Sequence, residues 1–207
     1  MSSTTAVGRS GAETWRMLRT PLMISGVIVL GVVALLIAGA ARTSGPFSPD
    51  SAEPTGAKAL ATLLENHGVK VTGTEDLGAA TKPGDGRALL IAPGGVLSRD
   101  DWQRIADAHW SHLVLMRPTN RALEILAPGV TDVSDTLAEG SRAPECDIDP
   151  AVRAGTATVS GTSYSAPDSA KQCYGDGIHH TVVRLEVAGR TVDVVGTPRS
   201  FTNEGLV

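Results

Sequence analysis

The most apolar stretch of the chain is an uncharged run at residues 21–41. At a rise of about 1.5 Å per residue, a helix of this length crosses a hydrocarbon core of about 30 Å. Positive charge is concentrated before the run, a bias typical of a cytoplasmic N-terminus. The arginines concerned are Arg9, Arg16 and Arg19 before the run and Arg42 after it. The pattern predicts a cytoplasmic tail at residues 1–20 and one transmembrane helix at residues 21–41.

A cleaved signal peptide is the alternative interpretation of this run, because Ala38-Gly39-Ala40 fits a small-residue cleavage site. We expect an uncleaved anchor, since the run is longer than the roughly 7–15 apolar residues of a signal peptide. Residues 42–54 are rich in Pro, Ser and Gly, which is typical of an extended linker. We therefore expect a single-pass protein of the cell membrane, with residues 55–207 forming one extracytoplasmic domain.

Apolar and amphipathic segments alternate in the first half of this domain. Residues 88–92 are wholly apolar and precede Pro-Gly-Gly, as expected of a strand buried on both faces of a parallel sheet. Ser98 and Asp101 form a capping-box pattern, and Gly68 stands where a helix commonly ends in a left-handed residue. The predicted helices are residues 57–66, 98–109 and 121–126, and the predicted strands are residues 69–71, 88–92 and 112–116. This order predicts an α/β fold with a parallel sheet.

The periodicity is weaker in the second half of the domain. Residues 128–180 are rich in Gly, Ser and Asp, which predicts an irregular insertion with room for one hairpin. Apolar and charged residues alternate at 183–187 and, after a turn at Gly189, again at 192–194, which predicts a C-terminal β-hairpin. Residues 198–207 contain no recognisable closing element, so we expect the domain to be truncated at its C-terminus.

The composition is that of a globular protein with an aliphatic core. Hydrophobic residues make up 42% of the 207 residues, but aromatic residues make up only 3%. The formal net charge is -4, so the exported part has no basic surface of the kind that attracts phosphate backbones. We therefore expect no nucleic-acid partner.

The two cysteines, Cys146 and Cys173, both lie on the predicted outer side of the membrane. An even number of cysteines in an oxidising compartment favours pairing, so we predict a disulfide. Unpaired structural thiols, a metal pair and a catalytic thiol are the alternatives, although Cys146 has no histidine or second cysteine beside it in the sequence. A disulfide would support an insertion that has little core of its own.

Other polar pairs in the insertion do not form a metal-binding pattern. Asp147 and Asp149 could bind calcium or share a proton, but we interpret them as part of a solvated loop. His179 and His180 are adjacent and would point to opposite sides of an extended chain, which disfavours a shared metal. The sequence has no Walker-type loop, Gly-x-Ser-x-Gly or His-Glu-x-x-His spacing. We expect neither a metal nor a cofactor.

The segment between the predicted strand at 88–92 and the helix that follows is the best candidate for a ligand site. Open α/β sheets bind ligands at the carboxyl ends of their strands, and Gly94, Gly95 and Ser98 follow such an end. Asp100 and Asp101 lie in the first turn of the helix and would repel an anion such as phosphate. A plain tight turn is the alternative interpretation.

Several short segments together resemble a known family. They are the apolar run, Gly45-Pro46-Phe47-Ser48-Pro49, the helix at 57–66, Ala92-Pro93-Gly94-Gly95 and Pro198-Arg199-Ser200-Phe201-Thr202-Asn203. Over nearly its whole length the chain resembles the actinobacterial membrane proteins of the domain-of-unknown-function 4350 family. The resemblance implies a divergent class I glutamine amidotransferase-like domain, which is a flavodoxin-like sandwich. It also implies a MoxR-type AAA ATPase encoded nearby and a longer chain with a second spanning helix.

An amidotransferase carries its nucleophilic cysteine on a sharp turn directly after a central strand. Here the predicted strand ending at Met116 leads into Arg117-Pro118-Thr119, and neither cysteine matches that position. We therefore assign no catalytic residue and expect a non-catalytic envelope protein that binds a partner protein or a small ligand, with membrane or ATPase-complex proteins as partners. The alternatives are a degenerate amidotransferase-like hydrolase acting on an envelope substrate and a truncated fragment without a role of its own.

Overall fold

The computed structural model describes residue 25 and residues 28–33, 45–82 and 86–206. The chain divides into two units, Met1–Gly45 and Pro46–Val207, and the second unit is described below. Most of the predicted transmembrane helix at 21–41 lies outside the described residues; residue 25 and residues 28–33 are helical. None of the helices in the described part of the chain has both the length and the apolar character that a membrane span requires.

The second unit has mixed α and β structure, as the alternation of segments predicts. Its α-helices are α1 (Lys58–Asn66), α2 (Leu77–Ala80), α3 (Arg99–Asp107), α4 (Asn120–Leu126) and α5 (Asp149–Ala154). Its strands are β1 (Ala88–Ile91), β2 (His112–Met116), β3 (Thr131–Arg142), β4 (Ala157–Ser165), β5 (Lys171–Gly175), β6 (His180–Val187) and β7 (Arg190–Val195). Two 3₁₀ helices follow, at Pro198–Phe201 and Glu204–Leu206.

The seven strands form one mixed sheet in the order β1-β2-β7-β6-β4-β3, and β5 pairs with β6. Only the pairs β1–β2 and β2–β7 are parallel, and the remaining pairs are antiparallel. Of the strands predicted for a parallel sheet, β1 and β2 are present and parallel, and β7 joins them as a third parallel strand, but the sheet as a whole is mostly antiparallel. The reason lies in the connections, because the two-residue turn between β6 and β7 can only reverse the chain, whereas a parallel pair needs a crossover.

The predicted C-terminal hairpin is confirmed. Val187 and Arg190 are paired, which leaves Ala188 and Gly189 as a two-residue loop. Both loop residues have positive φ angles, 51° and 77°. This geometry matches the right-handed twist of the flanking strands, and glycine adopts it at little cost. The hairpin carries β7 into the middle of the sheet, between β2 and β6.

The main hydrophobic core lies between the sheet and the helices α3 and α4. Leu113 and Leu115 on β2 are in register with Val192 and Val194 on β7, and each of the four is at most 1% exposed. The side chains that join them from the helices are Trp102, Ile105, Ala122, Leu123 and Leu126. At about 1.5–3 kcal/mol for each large aliphatic side chain removed from water, this layer is the main source of the stability of the parallel part of the sheet.

A second hydrophobic cluster lies on the opposite face of the sheet. Val183 on β6 belongs to the main core, whereas its neighbour Val182 packs against the second cluster. Successive side chains on a strand point to opposite faces, so the two clusters lie on either side of β6. The buried members of the second cluster are Leu137, Ile148, Ala151, Val159, Cys173 and Tyr174, contributed by β3, by α5 and its N-cap residue, by β4 and by β5.

The irregular insertion predicted at 128–180 is not what the structure contains, because β3, α5, β4 and β5 all fall within it. The alternation of apolar residues is interrupted by register shifts in the β3–β4 pair, between Asp132 and Thr136 and between Leu137 and Gly140. In β5, Tyr174 has a φ of 56°, and both it and Cys173 belong to the second cluster. Such irregularities remove the period of two on which strand prediction depends.

The strand predicted at 69–71 is also wrong. Val69, the first of these residues, takes part in the hydrogen bonds that end α1. Val69 N donates to Leu64 O at 3.0 Å, and Gly68 N donates to Glu65 O at 2.9 Å. With Gly68 at a φ of 81°, this is a Schellman ending of the helix. The predicted left-handed residue is therefore present, and residues 69–71 belong to no strand.

The strand predicted at 88–92 is present as β1 but is not buried on both faces. Leu90 is 42% exposed, and the burial along β1 alternates between exposed and intermediate. The cause is the position of β1 at the edge of the sheet, where it pairs with β2 alone among the described strands. A wholly apolar strand is therefore compatible with an edge position when one of its faces packs on a core.

The last residues of the described chain pack on the first residues of the same unit. The side-chain amide of Asn203 donates to Ser51 O at 2.9 Å and to Glu53 O at 2.6 Å, and its Oδ1 accepts from Ala59 N at 2.8 Å. Asn203 N also donates to Gly56 O at 2.8 Å. A segment without periodicity is thus ordered by hydrogen bonds to backbone groups that are distant in sequence.

Candidate functional site

A small cleft lies where the carboxyl ends of β1 and β2 meet, and its volume is about 60 Å³. The two strands are parallel and adjacent, so the loops that follow them emerge side by side. Trp102 of α3 and Thr119, the N-cap of α4, complete the walls. The lining residues are Ile91, Ala92, Pro93, Gly94, Gly95, Trp102, Leu115, Met116, Arg117, Pro118 and Thr119.

Of the three residues predicted for a ligand site, Gly94 and Gly95 line this cleft. Gly94 has a φ of 123°, which a residue with a side chain rarely adopts. Gly95 has no such requirement, and a Cβ built on it meets no atom within 4 Å. The fold therefore explains the glycine at position 94 but gives no packing or backbone reason for the glycine at position 95.

Ser98, the third predicted residue, does not line the cleft and is engaged in capping α3. Its hydroxyl accepts from Asp101 N at 3.2 Å and donates to Asp101 Oδ2 at 2.7 Å, and Ser98 N donates to the same carboxylate at 2.9 Å. These hydrogen bonds from Ser98, with the nearby charge of Arg104, hold the pKa of Asp101 below its usual value. The predicted capping box is therefore present, and it occupies the Ser98 hydroxyl.

Arg117 is a residue of this cleft that sequence reasoning did not select. It follows β2 directly and has a φ of 43°, in the left-handed region that residues other than glycine seldom occupy. Its N–H donates to Val195 O at 2.8 Å, which fixes the turn against the end of β7. The chain then enters α4 through Thr119, whose side chain accepts from Ala122 N at 3.3 Å. A strand, a strained residue and a helix thus follow one another within a few residues.

The charge distribution of the cleft is simple. Among the described residues that line it, Arg117 is the one that carries a charge, and the other side chains are mostly apolar. The exposed Arg117 guanidinium forms no ion pair or side-chain hydrogen bond with another described residue. No sequence pattern indicated this residue, because a left-handed conformation directly before a proline is contrary to the usual local preference.

The predicted disulfide between Cys146 and Cys173 is confirmed, with a Cα–Cα distance of 5.3 Å. It joins the loop before α5 to β5, within the second hydrophobic cluster. The Tyr174 hydroxyl donates to Ala151 O and Gly155 O, at 3.1 Å in each case, and so holds the C-terminal end of α5 to the same strand. The two cysteines therefore have a structural position, remote in sequence from the residues that line the cleft.

The two polar pairs considered from the sequence, Asp147 with Asp149 and His179 with His180, do not form shared sites, because their members make different contacts. Asp147 Oδ2 forms an ion pair with Lys171 Nζ at 2.9 Å, and this hydrogen bond lowers the pKa of Asp147. Asp149 is the first residue of α5. His179 N donates to Asp176 Oδ1 at 2.9 Å, whereas burial lowers the pKa of His180. Within the part of the chain that the structure describes, no three acidic, histidine or cysteine side chains are grouped to hold a metal.

A larger groove of about 410 Å³ lies at the other ends of β2 and β7. It is bounded by the end of α3, by residues 108–111 and by the hairpin loop at Ala188 and Gly189. Arg190 is one of its lining residues and donates to Ala108 O at 2.9 Å and to Ala106 O at 2.6 Å. These hydrogen bonds satisfy carbonyl groups at the end of α3, so Arg190 has a structural role there.

Two comparisons with known proteins bear on the family of this chain. A family model described as a domain of unknown function (DUF4350) matches residues 49–207. The chain is 32% identical over 192 residues to an uncharacterized membrane protein of Mycobacterium tuberculosis, and the aligned region covers 90% of this chain and 48% of that protein. The chain thus spans about half the length of the curated relative that it matches. Because the matched model covers most of the chain, this protein belongs to the DUF4350 family.

Proposed function

We propose that this protein is a non-catalytic, membrane-anchored receptor whose domain outside the cytoplasm binds a partner protein or a small ligand in the cleft at the ends of β1 and β2. One observation carries the proposal. The sharp turn after β2, where a class I amidotransferase would present its nucleophile, has a left-handed residue, but this residue is Arg117.

The chemistry of the residues supports a binding role over a hydrolytic one. The lining of the cleft includes no cysteine or serine, and both cysteines are joined to one another. A disulfide sulfur is not the thiolate that acts as a nucleophile. Thr119 is the one hydroxyl residue of the lining, and its oxygen already accepts a hydrogen bond as the cap of α4. The lining therefore offers no thiol, and its one hydroxyl group takes part in the cap of α4, which favours a binding role.

The size of the cleft supports the binding of one end of a larger molecule. Sites for whole small molecules usually have volumes of about 300–1,000 Å³, and this cleft has about 60 Å³. A protruding group of a partner fits such a volume, whereas most of a cofactor would remain outside. This argument favours a partner protein, or a ligand held by one group.

Location outside the cytoplasm is part of the same proposal. The apolar run at 21–41, the preceding arginines and the name of the Mycobacterium tuberculosis relative support an anchor in the membrane. The disulfide supports an oxidising compartment. We extend the proposal to a flavodoxin-like origin for the part formed by β1, β2, β7, α3 and α4, and to an assembly with a MoxR-type ATPase. The last point rests on the family resemblance alone.

Replacement of Gly95 tests the proposed function. Gly95→Val adds a branched side chain at the open rim of the cleft without a clash in the fold, so binding should be weakened while stability is retained. Gly45→Val is the matched control, because Gly45 also has open space around its Cβ and no positive φ. Both full-length variants would be cross-linked in native membranes, and the attached proteins would be quantified by mass spectrometry.

The expected result is that partners captured by the wild type and by Gly45→Val are depleted from Gly95→Val. Thermal unfolding in detergent should give the same midpoint for all three proteins. Unchanged capture by a folded Gly95→Val variant would show that the cleft is not the binding site. Loss of capture together with hydrolytic activity in the wild type would instead favour the degenerate hydrolase.

A further inference from the structure

The chemistry of Arg117 narrows the kind of group that the cleft can bind. A guanidinium is planar, always charged, and presents parallel N–H donors that match the two oxygens of a carboxylate. Arg117 is one of the residues that line the cleft, and its side chain forms no ion pair within the described part of the protein. Its left-handed backbone, which is strained for a residue with a side chain, is fixed by the hydrogen bond to Val195.

Backbone donors lie on the facing loop. Gly94 and Gly95 line the same cleft, and neither N–H donates to another backbone group among the described residues. Both residues are exposed. A Cβ built on Gly95 would meet open space, so the approach to this loop is not blocked by the fold. The cleft therefore combines one cation with neutral donors.

The charge of the cleft favours a monoanion over a phosphate. Arg117 supplies a single positive charge, and the walls around it include the buried side chains of Trp102, Leu115 and Met116. A phosphate carries nearly two negative charges and is strongly hydrated, so one arginine in an apolar cleft does not compensate for its desolvation. A volume of about 60 Å³ leaves room for a small group such as a carboxylate.

We infer that this cleft is a carboxylate receptor in which Arg117 binds the anion and the N–H groups of Gly94 and Gly95 donate hydrogen bonds to it. The inference rests on the proposed function, because it names the chemical group bound at the same site. The carboxylate could belong to the C-terminus of a peptide chain or to a small organic acid. These two sources share the recognised group and differ in the chain attached to it.

The test is a titration of the full-length protein in detergent micelles, labelled with ¹⁵N-glycine. The probes are acetyl-glycyl-glycine with a free carboxylate, the same peptide as its C-terminal amide, acetate and inorganic phosphate. The Gly95 amide resonance, identified by its loss in Gly95→Ala, reports binding. We expect the free peptide or acetate to shift this resonance and the amide to leave it unchanged. Tighter binding of the peptide identifies a chain terminus as the source, and equal binding identifies a small acid.

Variants of Arg117 separate charge recognition from folding. Arg117→Gln should weaken carboxylate binding by about tenfold or more, as expected for loss of a charged hydrogen-bonding partner. Arg117→Gly removes the same charge while relieving the left-handed backbone at this position, so it keeps the turn if Arg117→Gln does not fold. Arg121→Gln is the matched control, since Arg121 is an exposed arginine of α4 outside the lining.

A preference for phosphate, or carboxylate binding that survives in Arg117→Gly, overturns this inference. So does the absence of any response to either carboxylate probe. If one of these results is found but Gly95→Val still loses its partners, the proposed function stands and only the carboxylate assignment fails. If Gly95→Val also keeps its partners, both fail.

Discussion

Asn203 Oδ1 accepts the N–H of Ala59 at 2.8 Å, although the two residues are 144 positions apart in the sequence. The amide nitrogen of the same side chain donates to two carbonyl groups, those of Ser51 and Glu53. One partly buried side chain therefore ties the segment before α1 to the end of the described chain. Asparagine suits this position because its amide offers an acceptor and two donors.

Replacement of Asn203 should destabilise the domain. Asn203→Ala removes three hydrogen bonds, and at a net contribution of roughly 0.5–1.5 kcal/mol each we expect a loss of about 1–3 kcal/mol. Asn203→Asp should cost more at neutral pH, because a carboxylate would face two carbonyl oxygens. Urea unfolding of the full-length protein measures both effects. Asn66→Ala, at the end of α1, is the matched control, and an equal loss in that variant would contradict the role of Asn203.

The two tyrosines should respond in opposite ways to loss of their hydroxyl groups. The Tyr174 hydroxyl donates to two carbonyl groups, whereas the Tyr164 hydroxyl is buried without a hydrogen-bond partner among the described residues. We expect Tyr174→Phe to cost about 1–2 kcal/mol and Tyr164→Phe to be neutral or stabilising. Thermal unfolding of the two variants side by side makes the comparison. A clear loss of stability in Tyr164→Phe would show that its hydroxyl has a partner.

The disulfide should contribute substantially to the stability of the second cluster. Cys146 and Cys173 are separated by 27 positions, and closing a loop of this length stabilises by about 3–4 kcal/mol on the chain-entropy model. We expect the double variant Cys146→Ser/Cys173→Ser to unfold at correspondingly lower urea concentration. A reducing agent should lower the stability of the wild type and leave the double variant unchanged. Equal sensitivity of both proteins to reductant would contradict this assignment.

Stability should fall in mild acid because of His180. Burial lowers the pKa of His180 below its ordinary value of 6.5, despite the opposing effect of Asp176 and Glu145. The unfolded chain therefore binds a proton more readily than the folded one, so stability is lost as the pH falls through 6.5 and below. His180→Gln should flatten this dependence in urea unfolding between pH 8 and pH 5. His67→Gln is the comparison variant, and an unchanged slope in His180→Gln would refute the prediction.

Local patterns in the sequence predicted the elements whose determinants are close together in the chain. The capping box of Ser98 and Asp101, the left-handed Gly68 and the hairpin turn at Gly189 all appear as expected. Each depends on hydrogen bonds or backbone angles within a few residues, which a short pattern can encode. The pairing of Cys146 with Cys173 could be predicted for a different reason, since the sequence offers no other cysteine.

The candidate site was predicted only in part. Gly94 and Gly95 could be placed at a strand end from the local pattern, and both line the cleft. Arg117 could not be selected, because its backbone conformation depends on a hydrogen bond to Val195 in a strand that follows 78 positions later. Ser98 was selected for its position, but its hydroxyl is occupied within the helix cap.

The sequence by itself determined the α1, α3 and α4 helices, the β1 and β2 strands, the C-terminal hairpin and the disulfide. Only the tertiary structure decided that β7 lies between β2 and β6, that residues 131–175 form strands with irregular register, and that Asn203 joins the two ends of the described domain. The physical reason is the range of the interactions. Helix caps and tight turns are stabilised by neighbouring residues, whereas strand order, bulges and segments without periodicity are stabilised by partners that the chain meets only after it has folded.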